Sequence, residues 1–384
     1  MIYFDIPEED LGALGAEFTA PEIWNQPAVW ERTYRKFLDE REKVEKFRKN
    51  ALDSVRKIIL TGAGTSAYIG YSLEGSFQRH TGITTLSIPT THLVTHAEDY
   101  FDPDTPTLVV SFARSGNSPE SVAAVHQADR LCSTCYHLVI TCDETGELAR
   151  YESSNPKQNF ILPPESNDRS LAMTVSYTSM MLTGLLYARF ARLDSLGTQV
   201  DRLVSFGRTL ISKHSSTLKE IASLDFNRAV FLGSGPLFGT STESSLKLQE
   251  LTDGNIICKN DSYLGFRHGP KAVIDEKTIV IFLFSCRDSV LRYERDLVQS
   301  MKHGKKALKL IGISESPVPG VELDISICYC DKKQEIEEDF LAICSVLPAQ
   351  MLGMFKSMQL GLKPDNPSVS GAISRVVKGV VIYE

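Results

Sequence analysis

The chain has 384 residues, 42% hydrophobic and 23% charged, with a formal net charge of −7. Its length exceeds one ordinary core and predicts two or three domains of about 100–200 residues each. The composition is that of a globular protein, and the acidic balance argues against nucleic acid as a partner while leaving room for a small anion in a local pocket.

The first residues, "MIYFDIPEED", are acidic where a signal peptide would be basic and then apolar. The longest apolar run, Thr278–Cys286, is far short of the ~20 residues that span a bilayer. A cytoplasmic protein with no membrane partner is expected. Residues 1–44 read as a charged helical arm, with Thr19 able to cap and Pro21 in the first turn. Such an arm either packs on the first domain or a partner subunit, or is a plain N-terminal helix.

Short β-branched runs then alternate with amphipathic helical ones. The predicted strands are Lys57–Gly62, Thr84–Thr90, Thr107–Phe112, His137–Cys142 and Asn159–Leu162. After a long helical stretch the pattern resumes at Ala229–Gly235, Ile256–Lys259, Thr278–Phe284, Leu308–Ser314 and Asp324–Tyr329. This alternation implies parallel sheets covered on both faces. A constant offset of 171 places Gly62 and Gly64 on Gly233 and Gly235, Thr107–Val110 on Thr278–Ile281, and Val139 on Leu310. One offset holding over three strands predicts a duplicated α/β domain. The expected division is 45–200 for the first domain, 215–364 for the second and 365–384 for a tail, with the linker inside the helical stretch between Asp194 and Asn227.

Two loops of the first domain carry hydroxyls. "TGAGTSAYIG" offers Gly64, Thr65 and Ser66 between a strand and a helix. It is neither a Walker loop nor a full GxGxxG, which disfavours nucleotides. "SFARSGNSPES" follows the third strand and offers Arg114, Ser115, Gly116 and Ser118. Ser118-Pro119-Glu120 reads as a helix start. The stretch is therefore either a capped turn or a cradle in which helix N–H groups, hydroxyls and an arginine meet a phosphate. Two such loops at one end of one sheet suit a phosphorylated metabolite.

Eight cysteines are scattered along the chain, and the "CSTC" pair Cys132–Cys135 has no second pair to complete a zinc site. Free thiols and no metal are expected. In the second domain, Glu243, Lys247 and Glu250 fall at i, i+4 and i+7 on one helical face. Spacing alone favours a solvated ion pair; the alternative is a general base, Glu250, positioned by Lys247. His268 precedes Gly269-Pro270 in a turn and could carry a proton near neutral pH.

Taken together these residues resemble the sugar isomerase (SIS) domain family. The relevant type is the two-SIS-domain half of glucosamine-6-phosphate synthase and the related amino-sugar-phosphate deaminases and isomerases. The family's two phosphate loops resemble Gly64-Thr65-Ser66 and Ala113–Ser118. Its E-x-x-x-K-x-x-E helix matches Glu243, Lys247 and Glu250, and its K-H-G-P turn matches Arg267–Pro270. Glu22-Ile23 and Gln26-Pro27 also recur, and Lys378 occupies the place of a tail lysine that enters the sugar site. The chain departs from the family in lacking a glutaminase domain, in Ala113 and Arg114, and in Gly265 where an acid is usual.

The resemblance implies two doubly wound, flavodoxin-like SIS domains and a cofactor-free enzyme acting on a sugar phosphate. It further implies a homodimer or higher homo-oligomer, in which His268 could serve a neighbouring site. The most similar members are galactosamine-6-phosphate deaminases, long named tagatose-6-phosphate ketose/aldose isomerases. In that chemistry the Ser/Thr loops hold the 6-phosphate, His268 assists ring opening, Glu250 moves a proton between C2 and C1, and Lys378 meets the open chain. The alternatives are an isomerase that releases no ammonia and a sugar-phosphate sensor without turnover.

Overall fold

The computed structural model of the chain describes every residue except 302, 377, 378 and 384. All ten predicted strands are present, each shifted by at most two residues at its start. A two-residue ladder, β1 (Ile2–Tyr3) against β2 (Ile6–Pro7), precedes them. The first sheet comprises β3 (Lys57–Thr61), β4 (Thr84–Ser87), β5 (Thr107–Ala113), β6 (Cys135–Thr141) and β7 (Lys157–Ile161). The second comprises β8 (Arg228–Leu232), β9 (Ile257–Asp261), β10 (Thr278–Leu283), β11 (Lys309–Ser314) and β12 (Ile325–Cys328).

Both sheets are parallel throughout, ordered β4-β3-β5-β6-β7 and β12-β11-β10-β8-β9. The second order reversed is the first with each strand replaced by its repeat. Both are thus the 2-1-3-4-5 arrangement of flavodoxin-like folds. The register repeats too: Lys57 pairs with Thr107, and Arg228 with Thr278, 171 residues on in each case. The central strands β5 and β10 are buried at every position, as expected where helices cover both faces.

The chain forms two compact units. One, around the first sheet, comprises Ala28–Asp168, Val175–Gly197 and the tail from Ser374; the other comprises Met1–Pro27, Arg169–Thr174 and Thr198–Ile373. In the first-sheet unit the helix Val175–Ala188 is wholly buried. Gly184 lets it approach the core, since a Cβ there would stand 2.6 Å from Leu73 Cδ1. Thr178 Oγ1 accepts the Trp30 indole N–H at 2.9 Å. The predicted linker region is a single helix, Gly197–Ser223.

In the second-sheet unit, Thr19 does not cap its helix as expected. The helix spans Thr19–Asp39, and its start is capped from the far end of the sequence. Asp365 accepts the backbone N–H groups of Phe18 and Thr19 and the Thr19 hydroxyl, the last two at 2.7 Å. A full carboxylate charge at a helix N-terminus outcompetes a hydroxyl. Glu22 pins the next segment, accepting from the Arg169 N–H and from the Ser170 N–H and hydroxyl. Among the described residues the one helical stretch long and apolar enough to cross a membrane is Glu338–Gln359, not the Thr278–Cys286 run, and its most apolar window is buried within the fold. All eight cysteines are free thiols.

Candidate active site

In a 2-1-3-4-5 sheet the chain leaves strand one for opposite sides, opening a crevice beyond the carboxyl ends of strands one and three. In the first sheet these are β3 and β5, where Thr61, the last residue of β3, is the register partner of Ser111 near the end of β5. Both hydroxyl-bearing loops issue from this point, so the tertiary structure brings Gly64, Thr65, Ser66, Arg114, Ser115, Gly116 and Ser118 to one edge of one sheet.

The first loop turns at Gly64, with φ 54° and ψ −126°, a combination essentially reserved for glycine. Gly62 is equally constrained, because a Cβ there would lie 2.6 Å from the backbone of Ser66. Thr65 and Ser66 open the helix Thr65–Thr81 and are buried. The second loop is held by its neighbours. The Cys142 N–H and Thr141 hydroxyl both donate to the Arg114 carbonyl, the Leu148 N–H donates to the Gly116 carbonyl, and the Glu147 N–H donates to Asn117 Oδ1. The loop is thereby shaped before any ligand arrives.

Ser118 stands at the N-cap of helix Pro119–Leu131 with extended backbone, but its hydroxyl makes no capping bond. The Ser121 N–H goes to the Ser118 carbonyl instead, at 2.9 Å. Of the two readings of this stretch, the side-chain cap is the one the structure does not bear out. Arg114 is 6% exposed, and its guanidinium donates to the carbonyl of Arg375 in the tail. Arg375 in turn donates to the Asp168 carbonyl and Asn167 Oδ1. Nothing in the sequence singled out Arg375, because its partners lie more than 200 positions away.

The Glu–Lys helix spans Pro236–Leu251 in the second-sheet unit. The solvated ion pair that spacing favoured is not what forms. Lys247 and Glu243 are both 0% exposed. Lys247 Nζ lies 3.4 Å from Glu243 Oε1 and donates to Glu250 Oε2. Burial alone would lower the Lys247 pKa, but the two carboxylates hold it above the ordinary lysine value. Only the Glu250 side chain reaches solvent, at 23% exposure. One carboxylate is thus presented outward on a fixed ammonium, an arrangement suited to accepting and returning a proton. The helix is seated by Leu347–Gln359, where Gly353 permits close approach: a Cβ there would meet Leu251 Cδ1 at 2.7 Å.

His268 lies after β9, in the turn between Gly265–Arg267 and Pro270–Val273, and is exposed. Leu264 and Tyr293, which line one surface depression with Arg267, are also exposed, at 51% and 57%. A Cβ on Gly265 would fall 2.6 Å from Asp261 Oδ1, so a larger residue here requires the Asp261 side chain to move. The tail passes the end of the Glu–Lys helix, where the Val369 N–H donates to Asp253 Oδ2. Lys378 lies outside the described residues. Among the described residues no group of three or more His, Cys, Asp or Glu side chains could hold a metal.

Comparison with known proteins identifies the family. The SIS domain model matches residues 51–189. The D-galactosamine-6-phosphate deaminase AgaS of Shewanella sp. (strain ANA-3) is 37% identical, over 98% of this chain and 94% of that protein. The chain belongs to the AgaS family of SIS-domain proteins. The AgaS of Escherichia coli is likewise 37% identical, over 95% of each chain. A crystal structure from Clostridium novyi NT matches the AgaS-family chain with a TM-score of 0.96, at 37% identity and covering 100% and 99% of the two chains. That of the tagatose-6-phosphate ketose/aldose isomerase from Escherichia coli gives 0.85, at 34% identity and covering 95% and 96%. The second sheet, beyond the residues the domain model matches, repeats the SIS topology.

Proposed function

We propose that this AgaS-family chain is a deaminating isomerase, converting galactosamine 6-phosphate and water to tagatose 6-phosphate and ammonia. The observation that carries the reading is the buried Lys247 held between Glu243 and Glu250, with only Glu250 presented to solvent. A binding protein has no use for a desolvated ammonium that orients a single carboxylate.

In this reading Gly64, Thr65, Ser66, Ser115, Gly116 and Ser118 take the phosphate, with Arg114 adding positive charge. His268 moves a proton to the ring oxygen as the C1–O bond opens. Glu250 removes the C2 proton of the open aldose, giving an enolamine with the amine on C2. Returning that proton to C1 leaves a ketimine at C2. Water adds to this C=N bond, and the C–N bond breaks to release ammonia and the ketose. Lys378 stabilises the open chain. The chain acts in the cytoplasm as a homodimer or higher homo-oligomer, and the exposure of His268 suits a residue that serves a neighbouring subunit.

A coupled ammonia assay with galactosamine 6-phosphate tests the reading. One ammonia per ketose phosphate is expected. Ketose formation from an aldose phosphate with no ammonia from the amino sugar would instead establish the plain isomerase, the reading favoured by the name of the Escherichia coli structure.

A further inference from the structure

The duplication creates two equivalent crevices, and the second is filled differently. It opens between the carboxyl ends of β8 and β10. Gly235 repeats the backbone of Gly64, with φ 54° and ψ −127°. The hydroxyls that follow Gly64 are replaced by Pro236 and Leu237. The loop after β10 carries Ser285, Cys286 and Arg287, but its donors already have partners. Glu294, 0% exposed, accepts the Ser285 N–H at 2.8 Å. Glu338, 9% exposed, accepts the Ser285 hydroxyl, and its other oxygen lies 3.8 Å from Arg287 Nη1. That same oxygen stands 4.0 Å from the place a Cβ on Gly235 would occupy. In the first-sheet unit the corresponding helical turn carries Ala123, Ala124 and Val125, and brings no carboxyl group.

We propose that Glu338 is a built-in anion: it occupies in the second crevice the place that a phosphate group takes in the first. The chain therefore binds one phosphate ester, and removing this side chain uncovers a second, latent phosphate site. The latent site keeps the Ser285 hydroxyl, released from Glu338, and the Arg287 charge. A cavity of about 380 Å³ beside Ser285 and Cys286, with Arg292, Arg295 and Lys333 on its wall, supplies the route in. Burial, opposed by the Ser285 N–H and reinforced by the nearby Glu338 charge, pushes the Glu294 carboxyl up to about 8.

The inference rests on the first crevice being a phosphate cradle, and the test separates the two. Binding of inorganic phosphate is measured by equilibrium dialysis. Wild type saturates at one per chain, Glu338→Gln, which keeps the volume, also at one, and Glu338→Ala at two. Two per chain in wild type, or no gain from wild type to folded Glu338→Ala, overturns the built-in anion. None in wild type with one in Glu338→Ala supports it while sinking the reading of the first crevice. Should Glu338→Ala be poorly stable, its urea midpoint must rise with phosphate more steeply than that of wild type; an equal rise overturns the proposal.

Discussion

Lys247 shows how much one buried charge decides. It is drawn between Glu243 and Glu250 inside the fold, so removing it takes a counter-charge from the buried Glu243. Lys247→Met is expected to cost about 3–5 kcal/mol, read from urea unfolding, besides abolishing turnover. Glu250→Gln keeps the shape and removes the base. It is expected to lower kcat by ~10²–10⁴ with little change in KM, and unchanged kcat would exclude Glu250 as the base. Glu294 makes a prediction of opposite sign. Its folded pKa lies above that of an unfolded glutamate, so its contribution is complete below about pH 4.5 and is lost as pH rises through about 8. Glu294→Gln should therefore gain on wild type over that window by on the order of 4 kcal/mol, seen by comparing denaturation at pH 5 and pH 8.

At the scale of elements, the site depends on where helices start. The helix Thr65–Thr81 starts at a glycine held at φ 54°. Gly64→Ala is expected to cost ~1–3 kcal/mol and to raise KM for the phosphorylated substrate, since the loop must reshape. The helix Thr19–Asp39 starts on the Asp365 carboxylate. Asp365→Ala should destabilise by ~1–2 kcal/mol, and a hydrogen-exchange experiment should find the first turn of that helix deprotected. The two cases differ in legibility. A Gly-x-Gly between a strand and a helix announces its turn locally, whereas a cap donated from some 346 positions away leaves no local trace.

For the whole molecule, the division of labour between two copies of one fold is the main outcome. If His268 completes a neighbouring protomer's site, mixing inactive Glu250→Gln and His268→Ala proteins should restore activity. Random pairing in a dimer leaves about a quarter of sites with both groups intact; no recovery would place His268 in its own chain's site. The ten strands, the duplication and both hydroxyl loops were legible because they are carried by short apolar runs, paired glycines and a fixed offset. The burial of Lys247 was not, because spacing on a helix gives the shared face but not what covers it.

The amino-acid sequence by itself therefore determined the α/β class, the repeat of 171 residues and the residue types gathered for chemistry, since backbone preference and apolar periodicity are local properties. Only the tertiary structure decided which charges leave water. Whether Lys247 is a solvated or a buried cation, whether Ser118 caps its helix, and whether the second crevice is open or held by Glu338 all depend on groups distant in the chain. Desolvation and charge pairing act through space, and so they are settled only when packing brings those groups together.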